Sequence, residues 1–195
     1  MTLKSLPNLL TGLRIVLAVA VFAALLWAAG SEEDGRGVVL WLALIAWVVG
    51  ALTDYFDGWL ARKLDAMSPW GAILDPIADK IAVGGAVVGL VALDPQGGVA
   101  LPGGLILFRE LFVSGLREAG AARGLKFPVT KLAKWKTTLQ LVALGVLIAS
   151  AAGAASGLAF DGWIAILPLA LLWLAAAITL WTGWEYASAA QKGLK

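Results

Sequence analysis

Residues 54–62 and 71–79 decide the fold, and they read Asp54-Tyr-Phe-Asp57-Gly58-Trp-Leu-Ala61-Arg62 and Gly71-Ala-Ile-Leu-Asp75-Pro-Ile-Ala-Asp79. Long apolar segments lie directly before and after this stretch. A transmembrane helix needs about 20 mostly apolar residues. The sequence therefore predicts four carboxylates at the end of one spanning helix and the start of the next.

The composition also indicates a membrane protein. The chain of 195 residues is 61% hydrophobic and 14% charged, whereas soluble domains are roughly half apolar and about 25% charged. It contains no cysteine and no histidine, which excludes disulfides, thiolate metal sites and the commonest general base. Any metal is therefore expected to be an oxygen-liganded ion such as Mg²⁺ or Mn²⁺.

Six segments are long and apolar enough to span a membrane: residues 9–29, 38–60, 72–93, 101–121, 132–152 and 163–186. The breaks between them are rich in glycine, proline or charged residues, and no repeat or disordered linker is evident. We therefore expect an all-α integral membrane protein with six transmembrane helices, forming one domain over residues 1–195.

The basic residues predict the orientation of these helices. With six spans, both termini lie on the same side of the membrane. Of the 15 Lys and Arg residues, all except Arg36 lie in or near the loops on that side. Basic residues concentrate in cytoplasmic loops, so we predict that both termini are cytoplasmic.

The four aspartates need a compensating charge, because carboxylates within spanning helices are costly and repel one another. At about 100° per residue, Asp54 and Asp57 share one helix face, and Asp75 and Asp79 share a face of the next helix. We expect the two helices to be antiparallel neighbours whose carboxylates bind two divalent cations, which can clamp a transferring phosphoryl group. The alternative is that the aspartates cap helix ends and pair with basic residues, namely Arg62, Lys63 and Lys80.

These residues resemble the signature of the CDP-alcohol phosphotransferases. The family pattern is DxxDGxxAR, eight residues, then GxxxDxxxD, and every fixed position is met between Asp54 and Asp79. Eight fixed positions at fixed spacings make the resemblance specific, whereas an isolated DxxD would carry no information.

The resemblance continues into neighbouring helices and covers most of residues 5–145. Three further segments are similar to bacterial phosphatidylglycerophosphate synthases: Pro7-Asn8-Leu-Leu-Thr11-Gly-Leu-Arg14-Ile15, Arg109-Glu110-Leu-Phe-Val-Ser114-Gly-Leu-Arg117-Glu118 and Lys134-Trp-Lys136-Thr137-Thr138-Leu-Gln140. One departure is Ala133, where those enzymes usually have glycine. The last helix carries little of this signal.

The resemblance implies a polar active-site cavity open to the cytoplasm, a homodimer, and a multi-pass position in a bacterial inner membrane. It implies transfer of a phosphatidyl group from CDP-diacylglycerol to an alcohol with release of CMP. The metal ligands it implies are Asp54, Asp57, Asp75 and Asp79, with Asp79 also the general base. The implied CDP-diacylglycerol-binding residues are Asn8, Asp54, Asp57, Gly58, Ala61, Arg62, Gly71 and Asp75.

Four cations predict a phosphorylated acceptor. Arg109 and Arg117 lie about 80° apart on one helix face, and Lys134 and Lys136 begin the next span. Arginine forks bind phosphate well, so we expect these four residues to bind glycerol 3-phosphate. The alternatives are that the lysines touch lipid headgroups and that Arg109 pairs with an acidic neighbour, Glu110 or Glu118.

Three rival functions remain open from the sequence. An enzyme of the same family would accept phosphatidylglycerol, inositol phosphate or serine instead. A divalent-cation transporter would use the aspartates as an ion path, although no acidic stripe continues through the last three helices. A membrane scaffold would leave four costly charges without a purpose. No nucleic-acid partner is expected.

Overall fold

Six helices form the regular structure of the computed structural model, which describes residues 6–32, 35–63, 69–124 and 131–193. They are α1 (Leu6–Gly30), α2 (Arg36–Lys63), α3 (Pro69–Leu93), α4 (Ala100–Ala121), α5 (Lys131–Ala155) and α6 (Trp163–Gly193). No strand occurs in the described ranges. Within the helices, the side chains of residues 6–8, 55, 57–63, 69–70, 72, 131, 133–134 and 193 are outside the description. The predicted all-α fold with six helices is confirmed.

Five of the six helices are long and apolar enough to cross a membrane, and these are α1, α2, α3, α5 and α6 among the described residues. The exception is α4, which has 22 residues but contains four charged side chains: Arg109, Glu110, Arg117 and Glu118. Composition therefore supports five spans, and the sixth depends on where the charges of α4 point.

The position of α1 corrects one sequence-based expectation. Over the described residues α1 packs extensively against both α2 and α3, whereas α2 and α3 do not pack extensively on each other. Small residues explain this arrangement. A Cβ added to Gly89 of α3 would lie 2.7 Å from Leu25 Cβ of α1, and one added to Gly85 would lie 3.2 Å from Phe22 Cβ. Glycine allows this close helix approach in membranes, and α1 therefore lies between the two helices that carry the aspartates.

The remaining contacts close the helices into a ring in the order α1, α2, α5, α6, α4, α3. Trp47 of α2 donates a hydrogen bond from Nε1 to the carbonyl oxygen of Leu141 in α5, at 3.0 Å. The core is apolar and includes Leu25, Leu40, Leu144, Ile148 and Leu172. Contacts of α3 with α4 and α5 are sparser, which leaves room for a cavity between these helices.

Candidate active site

Three of the four signature aspartates meet at one arginine. Arg14 of α1 is 3% exposed. Its Nη1 contacts Asp54 Oδ1 of α2, its Nη2 lies 3.2 Å from Asp75 Oδ1, and its Nη1 lies 3.8 Å from Asp79 Oδ1 on α3. The predicted convergence of these carboxylates is therefore observed, but it is organised around α1. We call Arg14 and these three aspartates the aspartate site.

Thr11 supports the same site from one turn earlier on α1. It is 2% exposed and donates a hydrogen bond from Oγ1 to Asp75 Oδ1 at 3.0 Å. Residues three apart on a helix share a face, so Thr11 and Arg14 both point toward α3. The polar groups of α1 thus neutralise and orient carboxylates that would otherwise repel one another.

The residues of the aspartate site fit a divalent metal in their chemistry. Carboxylate oxygens are the ligands that Mg²⁺ and Mn²⁺ prefer, and the three side chains already face one positive charge. Within the described side chains, no three acidic groups lie close enough to hold one ion. The Arg14 guanidinium contacts the three described aspartates. The fourth predicted ligand, Asp57, has its side chain outside the described residues.

A polar cavity of about 720 Å³ lies between α3, α4, α5 and α6. It contains three of the four predicted phosphate-binding cations, and its polar lining is Asp79, Lys80, Arg109, Glu110, Ser114, Arg117, Glu118, Lys136, Thr137, Gln140 and Tyr186. The side chain of the fourth, Lys134, is outside the described residues. The predicted grouping of Arg109, Arg117 and Lys136 on one cavity is therefore observed.

Glu110 connects the cations of the polar cavity. Lys136 Nζ donates a hydrogen bond to Glu110 Oε1, Arg109 Nη1 donates to the same oxygen at 3.2 Å, and Gln140 Nε2 lies 3.4 Å from it. The alternative in which Arg109 pairs with Glu110 thus describes part of its environment. The pairing does not remove Arg109 from the cavity, because both residues line it.

Asp79 connects the two halves of the site. It belongs to the aspartate site through Arg14, and it also lines the polar cavity. A second, small cavity of about 20 Å³, lined mostly by apolar residues of α1 and α2, contains Asp54 and Asp79 as well. A carboxylate in this position can contact a group bound by the other aspartates and a group bound by the cations.

Sequence reasoning missed several of these residues. It assigned no catalytic or binding role to Thr11 or Arg14, and it considered Lys80 and Glu110 only as ion-pair partners. Lys80 instead donates a hydrogen bond to Ser114 Oγ at 2.8 Å inside the polar cavity. Arg14 was detectable, because a charged residue within an apolar helix indicates a functional site. Of the other predicted donor-binding residues, Gly71 is half-buried near the start of α3, while the side chains of Asn8, Ala61 and Arg62 and the surroundings of Gly58 are outside the described set.

Residues 4–181 match the family described as CDP-alcohol phosphatidyltransferase. The chain belongs to this family. A relative from Cereibacter sphaeroides is 40% identical, with 93% of each chain covered. Others from Rickettsia felis and Pseudomonas fluorescens are each 36% identical, with 97% and 98% of this chain and 97% and 92% of the relatives covered. All three relatives carry the name CDP-diacylglycerol–glycerol-3-phosphate 3-phosphatidyltransferase.

Family membership accounts for the eight matched signature positions and for the extent of the similarity. The matched region includes the aspartate site and most of the polar cavity. It ends at residue 181, before the last residue of the cavity lining, Tyr186.

Proposed function

We propose that this enzyme transfers the phosphatidyl group of CDP-diacylglycerol to sn-glycerol 3-phosphate, giving phosphatidylglycerophosphate and CMP. The observation that carries the proposal is the position of Asp79 between the aspartate site and a cavity lined by Arg109, Arg117 and Lys136. The relatives' names describe the same reaction. The cations favour a phosphorylated acceptor over a neutral alcohol, because guanidinium and ammonium groups bind phosphate oxygens.

On the donor side, Asp54, Asp57, Asp75 and Asp79 would hold two divalent ions, Mg²⁺ or Mn²⁺. Enzymes of this family generally use divalent metals, and such ions neutralise a pyrophosphate and stabilise the departing phosphate oxygen. We assign the cytidine diphosphate and its surroundings to the signature residues: Asn8, Asp54, Asp57, Gly58, Ala61, Arg62, Gly71 and Asp75. Arg14 and Thr11 hold Asp54 and Asp75 in place from α1.

On the acceptor side, Arg109, Arg117, Lys134 and Lys136 would bind the phosphate of glycerol 3-phosphate. Asp79 would accept the proton of the attacking hydroxyl as that oxygen bonds to the β-phosphorus of the donor. The bond from that phosphorus to the oxygen of CMP breaks in the same displacement. In this proposal the polar cavity binds the acceptor. Asp79 then accepts the proton of the acceptor hydroxyl next to the phosphate of the donor.

The charge distribution on α4 supports a sixth membrane span. Arg109 is 6% exposed and the Glu110 side chain is 18% exposed, whereas Phe108 is 73% and Leu111 66% exposed. The charges therefore face the cavity and the apolar side chains face outward. We propose six spans in a bacterial inner membrane, with cytoplasmic termini, a cytoplasmic active site, one domain and a homodimeric assembly.

The proposal is tested by measuring CMP release from purified enzyme in detergent with CDP-diacylglycerol, Mg²⁺ and glycerol 3-phosphate. We expect acceptor-dependent release that is lost in Asp79→Asn. Asp161→Asn is the matched control, because Asp161 is exposed in the loop before α6. Release with phosphatidylglycerol, inositol phosphate or serine, but not with glycerol 3-phosphate, would overturn the acceptor. Metal uptake into proteoliposomes without CMP release would favour transport.

A further inference from the structure

Two buried threonines of α6 contact the lining of the polar cavity. Arg109 Nη2 of α4 donates a hydrogen bond to Thr182 Oγ1 at 2.9 Å, and Gln140 Nε2 of α5 donates to Thr179 Oγ1 at 2.7 Å. Both threonines are 0% exposed. Thr182 lies beyond residue 181, where the family match ends. Helix α6 thus contacts Arg109 and Gln140, two residues that line the polar cavity.

Gly183 fixes the path of the Arg109 side chain. A Cβ added at position 183 would lie 2.8 Å from Arg109 Cγ and 3.3 Å from its Nε. Real side chains do not tolerate the first distance, so the stem of Arg109 lies against the backbone of α6 only because residue 183 is glycine. The ring of Tyr186, one turn further on, lies 5.7 Å from the Arg109 guanidinium carbon, within the range of a cation–π contact.

The hydroxyl of Thr182 is oriented to accept a hydrogen bond. Its oxygen lies 3.0 Å from the carbonyl oxygen of Ile178 and 2.9 Å from the carbonyl oxygen of Thr179. The hydroxyl donates its one proton toward these two carbonyl oxygens. A hydroxyl has one proton and two lone pairs, so its lone pairs face the arginine. Serine can reproduce this arrangement, whereas valine, which has nearly the same shape, cannot.

Arg109 keeps hydrogen-bonding capacity in this position. Its guanidinium has five N–H donors. One bonds to Glu110 and one to Thr182, while Nε is buried without a hydrogen-bond partner in the part of the chain that the structure describes. Arg109 is 6% exposed and lines the polar cavity. The side chain is therefore held at two points, and the donors left for a ligand are the second N–H groups of Nη1 and Nη2, since Nε is buried against α6.

We propose that Thr182 and Gly183 are positioning residues that hold the Arg109 guanidinium in the orientation that binds the phosphate group of the acceptor. The inference rests on the proposed function, because it concerns the same cavity. Neither residue touches the reacting atoms in this role. Their effect passes through Arg109 and concerns the acceptor, whereas the proposed donor-binding residues lie on α1, α2 and α3.

The test compares Thr182→Val, Thr182→Ser and the lipid-facing control Leu180→Ala in the full-length enzyme. Both substrates are varied in CMP-release assays, and the thermal midpoint is measured in the same detergent. For Thr182→Val we expect the KM for glycerol 3-phosphate to rise about tenfold, equivalent to roughly 1.4 kcal/mol, with the KM for CDP-diacylglycerol unchanged. Thr182→Ser and Leu180→Ala should both have the wild-type KM for glycerol 3-phosphate.

A second pair of variants separates positioning from general stability. Gly183→Ala should also raise the KM for glycerol 3-phosphate. The added methyl group would displace the stem of Arg109 from the backbone of α6 and leave the Thr182 hydroxyl in place. In an Arg109→Lys background, Thr182→Val should add little, because residues that act through one group are not additive.

The outcomes distinguish the inference from the function. If wild type uses glycerol 3-phosphate but Thr182→Val lowers only the thermal midpoint or kcat, the inference is wrong and the function stands. If wild type releases CMP only with an acceptor that lacks phosphate, both are wrong. An equal effect of Thr182→Val with and without Arg109 would also overturn the inference.

Discussion

Arg14 Nη2 on α1 lies 3.2 Å from Asp75 Oδ1 on α3, although 61 residues separate them in the sequence. The same guanidinium also contacts carboxylates of α2 and α3, Asp54 and Asp79. One buried cation therefore faces three signature aspartates of the family. This contact explains how the protein holds acidic side chains from two helices together before any substrate binds.

Arg14→Gln should destabilise the enzyme most strongly when divalent ions are removed. The three aspartate side chains are 40–49% exposed, so solvent screens part of their repulsion. The free energy of unfolding should therefore fall by about 1–2 kcal/mol. That corresponds to a fall of about 2–8 °C in Tm. Differential scanning fluorimetry in detergent with EDTA measures the fall, and Mg²⁺ should reverse part of it.

Arg123→Gln is the control for this prediction, because Arg123 is exposed after the end of α4. If Arg14→Gln unfolds at the same temperature as Arg123→Gln in EDTA, Arg14 does not neutralise the aspartates. A Tm loss that Mg²⁺ leaves unchanged would mean that the arginine acts only in packing.

Lys136→Gln should weaken acceptor binding and leave donor binding intact. Lys136 is 5% exposed and lines the polar cavity with Asp79. Losing one buried ammonium opposite a phosphate should raise the KM for glycerol 3-phosphate about 10- to 100-fold, or roughly 1.4–2.8 kcal/mol. Steady-state CMP release with each substrate varied gives the two KM values. Lys192→Gln, at an exposed lysine near the end of α6, should behave as wild type, and an equal rise in both KM values would contradict the prediction.

Glu110 and Lys136 should be energetically coupled. Substituting either residue leaves the other as a largely buried charge with fewer contacts. Glu110 accepts hydrogen bonds from Lys136, Arg109 and Gln140. Glu110→Gln and Lys136→Gln should each lower the free energy of unfolding. The free energy of unfolding lost in the double variant should be about 0.5–3 kcal/mol smaller than the sum of the losses in the two single variants. Unfolding in mixed micelles of detergent and SDS measures all four proteins, and additive losses would show that the ion pair contributes no coupling.

The sequence predicted the helices closely because apolar length is a strong local signal. The predicted span over residues 101–121 corresponds to α4 at Ala100–Ala121. The largest difference is at α6, which continues to Gly193, beyond the predicted end at residue 186. The added residues include Ala189, Ala190, Gln191 and Lys192, which favour helix but are not apolar enough to extend a predicted span.

Neighbour relationships were harder to predict than helices. Sequence reasoning paired α2 with α3 because the aspartates of each helix share one face, but α1 packs between the two helices over the described residues. The decisive feature is the fit of Gly85 and Gly89 against α1, and single glycines in an apolar helix do not reveal which partner they meet. The roles of Thr182 and Gly183 were hidden for the same reason, since each depends on an arginine more than 70 residues away.

Ionic strength should affect the acceptor more than the donor, and Arg117 should carry much of the effect. Arg117 is exposed where it lines the polar cavity, so salt screens its attraction for an anion, with a Debye length of about 10 Å at 0.1 M. Raising NaCl from about 0.05 M to about 0.5 M should increase the wild-type KM for glycerol 3-phosphate. Arg117→Gln should have a higher KM at low salt and a flatter dependence on salt. Arg123→Gln removes the same charge from a residue outside the cavity lining and should follow the wild-type curve. If both variants flatten the curve equally, net charge and not Arg117 attracts the acceptor.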